Sequence, residues 1–222
     1  MQRANAQRLL AGIDPVAAKL YVTEVAGELD GLAAQVWAFG LAEGARRAVA
    51  IVAQMGAELA VGAAHLYEGE RWYAGAALVR QLIETEYLLF LFAVDSSEPE
   101  KWLRATPEQA KRVFAPANMR ERSSGRFHAE EYSIHCEIGG HPRLSGHVLL
   151  REHLTPVPGD VPRLFDPRAQ WVDLAQHVER LWTNYAAAVR LHSPSNVYPD
   201  TFRRLEDLSD AWRAIDPLPS RI

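Results

Sequence analysis

The stretch "ALVRQLIETEYLLFLF", residues 77–92, restricts the possible folds of this chain more than any other. Its second half places apolar side chains on every side of a helix, and such a helix is stable only when neighbours surround it. The pattern predicts a helix over about 70–95 at the centre of a bundle. Its longest apolar run, "YLLFLFAV" at 87–94, falls well short of the roughly 20 residues that cross a bilayer. No membrane partner is expected.

The rest of the chain is punctuated as further helices. Asp14 is placed as an N-cap with Pro15 at the first helical position, and Val25, Leu29, Leu32 and Val36 then recur at helical spacing. An alanine-rich helix is expected over 41–67, and "DSSEPE" after the central helix reads as a break. "TPEQAKRVF" restarts a helix with Thr106 and Gln109 forming a capping box. A helix over 126–138 should stop at Gly139-Gly140 and Pro142. Residues 142–165 read as a long loop with a short helix near "HVLLREH", followed by helices at about 166–192 and 200–214. No sustained strand alternation and no internal repeat occurs. The reading is all-α: a single helical bundle of about six to seven helices over 1–215, with 216–222 as a C-terminal tail.

Composition narrows the function classes. A net charge of −4 argues against a strongly basic nucleic-acid binder. Basic charge is carried by 21 arginines and only 3 lysines, a bias that fits a GC-rich genome and also planar anion recognition. Cys136 is the single cysteine, which excludes an intramolecular disulfide or a multi-cysteine zinc site. The first fifteen residues lack the apolar core of a secretion signal, so the expected location is cytoplasmic.

Two stretches carry polar chemistry. On the central helix, Arg80, Glu84 and Tyr87 share a stripe, and Arg80 and Glu84 are spaced to pair. Glu86 lies well round the helix and is expected to face solvent or to pair elsewhere. The segment "RFHAEEYSIHCEIGGHP" at 126–142 gathers three histidines and three glutamates. On a helix starting at 126, His128, Glu131, Tyr132 and His135 fall on neighbouring positions beside an apolar stripe of Phe127, Ile134 and Ile138. Arg126, Glu130, Ser133 and Glu137 fall on the wet side, and Cys136 faces away as a spectator. His128, Glu131 and His135, completed by Glu84 or His141, form a conceivable metal shell. Neither H-E-x-x-H nor a paired E-x-x-H motif is present. No metal and no other cofactor is expected.

Arg122 and His128 in "RSSGRFH" match the R-x4–6-H spacing of HEPN-type proteins, small all-helical bacterial proteins that act on RNA. The "RQLIE" helix followed by "EYSIHCEIGGHP" also resembles a broad set of uncharacterised bacterial all-helical families, with matching positions at Arg80, Glu84, Tyr132 and His141. The resemblance covers about residues 78–142. It implies a HEPN-like homodimer in defence, toxin or RNA-processing work, with RNA as partner and metal-independent ribonuclease chemistry at Arg122, His128 and His141. In that chemistry a histidine moves the proton and an arginine stabilises the phosphate charge. The alternatives are a bundle that binds a small-molecule ligand or metal through Arg80, Glu84, Glu131, Tyr132 and His135, or a non-catalytic interaction protein.

Overall fold

A computed structural model of the chain describes residues 15–38, 44–150, 166–192 and 199–216. Three long helices come first: α1 (Pro15–Ala38), α2 (Ala45–Glu68) and α3 (Trp72–Val94). Four short ones follow: α4 (Glu98–Arg104), α5 (Pro107–Val113), α6 (Pro116–Glu121) and α7 (Ala129–His135). The last of these runs directly into a π turn at Cys136–Gly140, and a 3-10 turn spans Leu144–Leu149. Helices α8 (Pro167–His192) and α9 (Pro199–Ile215) complete the described residues, among which no strand occurs. The chain is an all-α bundle.

Helix α3 lies at the centre, between α2 and α8, and it buries Val79, Leu82, Ile83, Leu89, Leu91 and Phe92. Its all-round apolar composition is thereby used. Helix α2 turns Ala53, Ala57, Ala60 and Ala63 inward, side chains small enough for neighbouring backbones to approach closely. At Gly56 an added Cβ would lie 2.6 Å from Leu181, so α8 rests directly against that glycine. By length and composition α2 could cross a membrane, but half of its most apolar window is buried within the bundle.

The local start signals act as their chemistry dictates. Thr106 accepts from the Gln109 backbone N–H at 3.3 Å, and the Gln109 side chain accepts from the Thr106 N–H at 2.9 Å, closing the capping box of α5. Asp166 precedes α8 and accepts the Arg168 backbone N–H at 2.9 Å. Asp14, the second half of the expected 142–165 loop and nearly all of the expected tail lie outside the described residues. Asp216 is held against α8 through Gln176, at 2.9 Å.

Several expectations are corrected. "DSSEPE" does not merely break the chain, because Glu98 opens α4 and is buried by ion pairs to Lys101 and Arg122. The 126–138 helix begins only at Ala129, with His128 at its N-cap. Phe127 therefore precedes the helix and packs 4.2 Å from Tyr87 and 5.2 Å from Phe90, between ring centroids. Arg126 lies 5.0 Å over the Phe90 ring instead of facing water, while Ile134, expected on the apolar stripe, is 52% exposed. The helical run ends at Gly139-Gly140 as expected, but its last turn, Cys136–Gly140, is a π turn, a distortion often found beside functional sites.

Candidate metal centre

Gly139 explains why the π turn sits where it does. A Cβ there would lie 2.6 Å from the Ala76 backbone, so only glycine lets this turn lie flat on α3. That contact sets the height of His135, the last residue of α7, over the bundle. We expect Gly139→Ala to cost about 1 kcal/mol through overpacking and to displace His135 from the partners described next. Urea denaturation measures the first effect, and metal titration the second.

Opposite α7, helix α8 presents Asp173, His177 and Arg180 at i, i+4 and i+7, which places all three on one face. His177 Nε2 lies 3.2 Å from His135 Nε2. Asp173 Oδ1 lies 3.6 Å from His135 Nε2 and 3.7 Å from His177 Nε2. With bonds of about 2.0–2.1 Å, a tetrahedral ion would separate its ligand atoms by about 3.3 Å. The observed spacings outline one face of such a tetrahedron. An octahedral ion with equal bonds would require roughly 2.9 Å, a poorer fit. Two imidazoles and a carboxylate suit zinc or ferrous iron.

Behind His177 lies Glu86, on the face of α3 turned toward α8. Glu86 Oε1 is 2.6 Å from His177 Nδ1, and both side chains are fully buried. A carboxylate on the far nitrogen fixes the imidazole's orientation and leaves Nε2 toward the cluster, the usual support for a metal-ligating histidine. Arg180 Nη2 donates to Glu131 Oε1 at 2.6 Å, and its Nε lies 3.6 Å from Glu86 Oε2.

Burial dominates the electrostatics. It drives the Glu86 carboxyl up to about 8 against the opposing pull of Arg180, and it drives the His177 imidazole down to about 3, aided by the same cation. Burial would also raise Glu131, but its hydrogen bond and attraction to Arg180 prevail and hold it at about 2. At neutral pH the Glu86–His177 pair therefore shares one proton and has no net charge. A cation bound at His177 Nε2 would displace that proton, leaving Glu86 ionised against His177 Nδ1–H.

An open pocket of about 540 Å³ adjoins the cluster. His135 and Asp173 reach its wall together with His128 and Glu131, while His177 closes the cluster from behind.

The structure divides the residues expected from sequence into two groups. Arg80, Glu84 and Tyr132 form a separate triangle. Arg80 Nη2 donates to Tyr132 Oη at 2.8 Å and lies 2.8 Å from Glu84 Oε1, and Tyr132 donates to Glu84 at 2.7 Å. Arg120 stacks 4.7 Å over the Tyr132 ring. Cys136, expected to be a spectator, is half-buried at the start of the π turn. Glu131 and His135 turn to α8 instead. The shell of His128, Glu131 and His135 completed by Glu84 or His141 is not assembled, because Glu84 and Glu131 are both held by arginines. His141 is exposed at the end of the π turn, with its backbone carbonyl accepting from Tyr73. Arg122 pairs with buried Glu98, and among the described residues no hydrogen bond or ion pair joins it to His128.

Sequence reasoning left Glu86 open between solvent and a partner elsewhere, of which the second holds, and it missed Asp173, His177 and Arg180 altogether. Their signal was the D-x-x-x-H-x-x-R spacing in "VDLAQHVER". No protein-family model, curated protein or solved structure matches the chain.

Proposed function

We propose that this protein is a metal-binding helical bundle that holds one divalent transition metal through His135, Asp173 and His177 and presents it to the adjoining pocket. The observation that carries this reading is the triangle of Nε2, Nε2 and Oδ1 atoms at 3.2, 3.6 and 3.7 Å, oriented from behind by buried Glu86. The charges support it. Asp173 and an ionised Glu86 together offset a divalent ion, and Arg180 already neutralises Glu131.

Three protein ligands leave a tetrahedral ion one position for water or ligand, the arrangement of catalytic rather than structural sites. The chemistry such an ion supplies is polarisation of a carbonyl or activation of a bound water. The chain's own residues fix the donors, exclude water from the rear of the site and shape the pocket.

The test is elemental analysis and zinc titration of the purified protein after removal of any affinity tag. We expect about one zinc or iron per chain. Asp173→Asn should retain the fold while weakening zinc binding at least about 100-fold through loss of an anionic ligand. Failure of wild-type protein to take up either metal at micromolar concentration would refute the reading.

A further inference from the structure

We infer that the ligand admitted to the metal-facing pocket carries no anionic arm and has a short apolar one, as a carboxamide or related carbonyl compound does. This deepens the metal-centre reading and rests on it.

The pocket's charge decides the first part. Among the described residues its acidic side chains are Glu130, Glu131 and Asp173, and no arginine or lysine lines it. Arg180, which reaches Glu131 from behind, is 16% exposed and already bonded to it at 2.6 Å. Sites that take phosphate or carboxylate groups clamp them with free arginine, lysine or backbone N–H donors. Here an anionic arm would meet uncompensated Glu130, which is exposed at the mouth.

The walls decide the second part. Ala76 of α3, Ile138 of the π turn and Ala169 of α8 supply apolar surface next to the donors, and Ile134 stands 52% exposed at the same pocket. An apolar group lying against Ile134 would remove that exposed surface from water. The volume of about 540 Å³ falls within the range of small-molecule sites. Gln170 accepts from Tyr67 at 3.4 Å, which leaves its amide N–H groups available to a ligand carbonyl.

The experiment uses full-length protein loaded with cobalt(II), whose visible absorption reports ligands entering its coordination sphere. Three probes share one metal-binding group: acetohydroxamic acid, hexanohydroxamic acid, and the hexanohydroxamate that ends in a carboxylate. We expect the apolar tail to tighten binding at least about tenfold over acetohydroxamic acid, and the carboxylate-ended probe to bind no tighter than acetohydroxamic acid. Glu130→Lys should raise affinity for the carboxylate-ended probe about threefold or more. Equal or tighter binding of that probe to wild type, or no gain from the apolar tail, would overturn the inference while leaving the metal centre intact. A spectrum unmoved by every probe would overturn it too. Failure to load cobalt would instead refute the metal-centre reading, and this inference with it.

Discussion

Replacing His177 with alanine should destabilise the metal-free protein by about 3–5 kcal/mol, the usual cost of removing one partner from a buried charged or proton-sharing pair. The side chain removed is fully buried, and its loss leaves Glu86 Oε1 without the acceptor or donor it has at 2.6 Å. Arg180 Nε, 3.6 Å from the other carboxylate oxygen, is too distant to replace that bond. A cavity the size of an imidazole adds to the penalty. Domains of this kind have about 5–15 kcal/mol in total, so the single variant should approach the limit of folding at 37 °C. Replacing Glu86 and His177 together by leucine should recover most of the loss, because a packed apolar pair needs no partner. Urea denaturation with chelator present measures both. A single-variant cost below about 1 kcal/mol would mean that the pair is not closed as described. Neither variant should retain the metal affinity of the wild type, so the double variant separates loss of metal from loss of fold.

How much of this was legible beforehand depends on sequence separation. The helices were legible because their period and caps are local: the central helix, the Thr106 capping box and the Pro167 start are all written within a few residues. The Arg80–Glu84 pair was legible for the same reason, being one turn apart. The metal centre was not. His135 and His177 lie 42 residues apart, and Glu86 and His177 lie 91 apart. No periodicity relates α7 to α8. The donor set of His128, Glu131 and His135 drew on one helix, where few side chains can converge on a point, and Glu84, offered to complete it, is held by Arg80. A carboxylate on the face of α3 away from Arg80 could be solvated or buried, and only the position of α8 decides between them. Gly139-Gly140 has a similar ambiguity. The pair ends the helical run as expected, but the glycines are there because α3 lies too close for a side chain.

The proton shared by Glu86 and His177 predicts the pH dependence of the metal-free protein. In the unfolded chain the glutamate titrates near 4.5 and the histidine near 6.5, whereas in the folded chain they titrate near 8 and near 3. The Glu86 term, with its folded value raised, is fully stabilising below 4.5 and is lost as pH rises towards 8. The His177 term, with its folded value depressed, is present above 6.5 and is lost as pH falls towards 3. Between 4.5 and 6.5 the two changes cancel, since folded and unfolded pairs each hold one proton. Above 6.5 only the folded pair retains it, so stability falls with rising pH until about 8. A difference of about 1.5 pH units corresponds to about 2 kcal/mol. The same loss should appear on the acid side, between about 4.5 and 3, where the unfolded pair holds two protons and the folded pair one. In Glu86→Gln the buried histidine has no titrating group on its Nδ1 side and stays neutral above 6.5, so the loss between 6.5 and 8 should vanish. Urea midpoints at half-unit pH steps in chelator, wild type against Glu86→Gln, give the difference curve. A wild-type curve that runs parallel to the variant from 6.5 to 8 would show that the pair holds no shared proton.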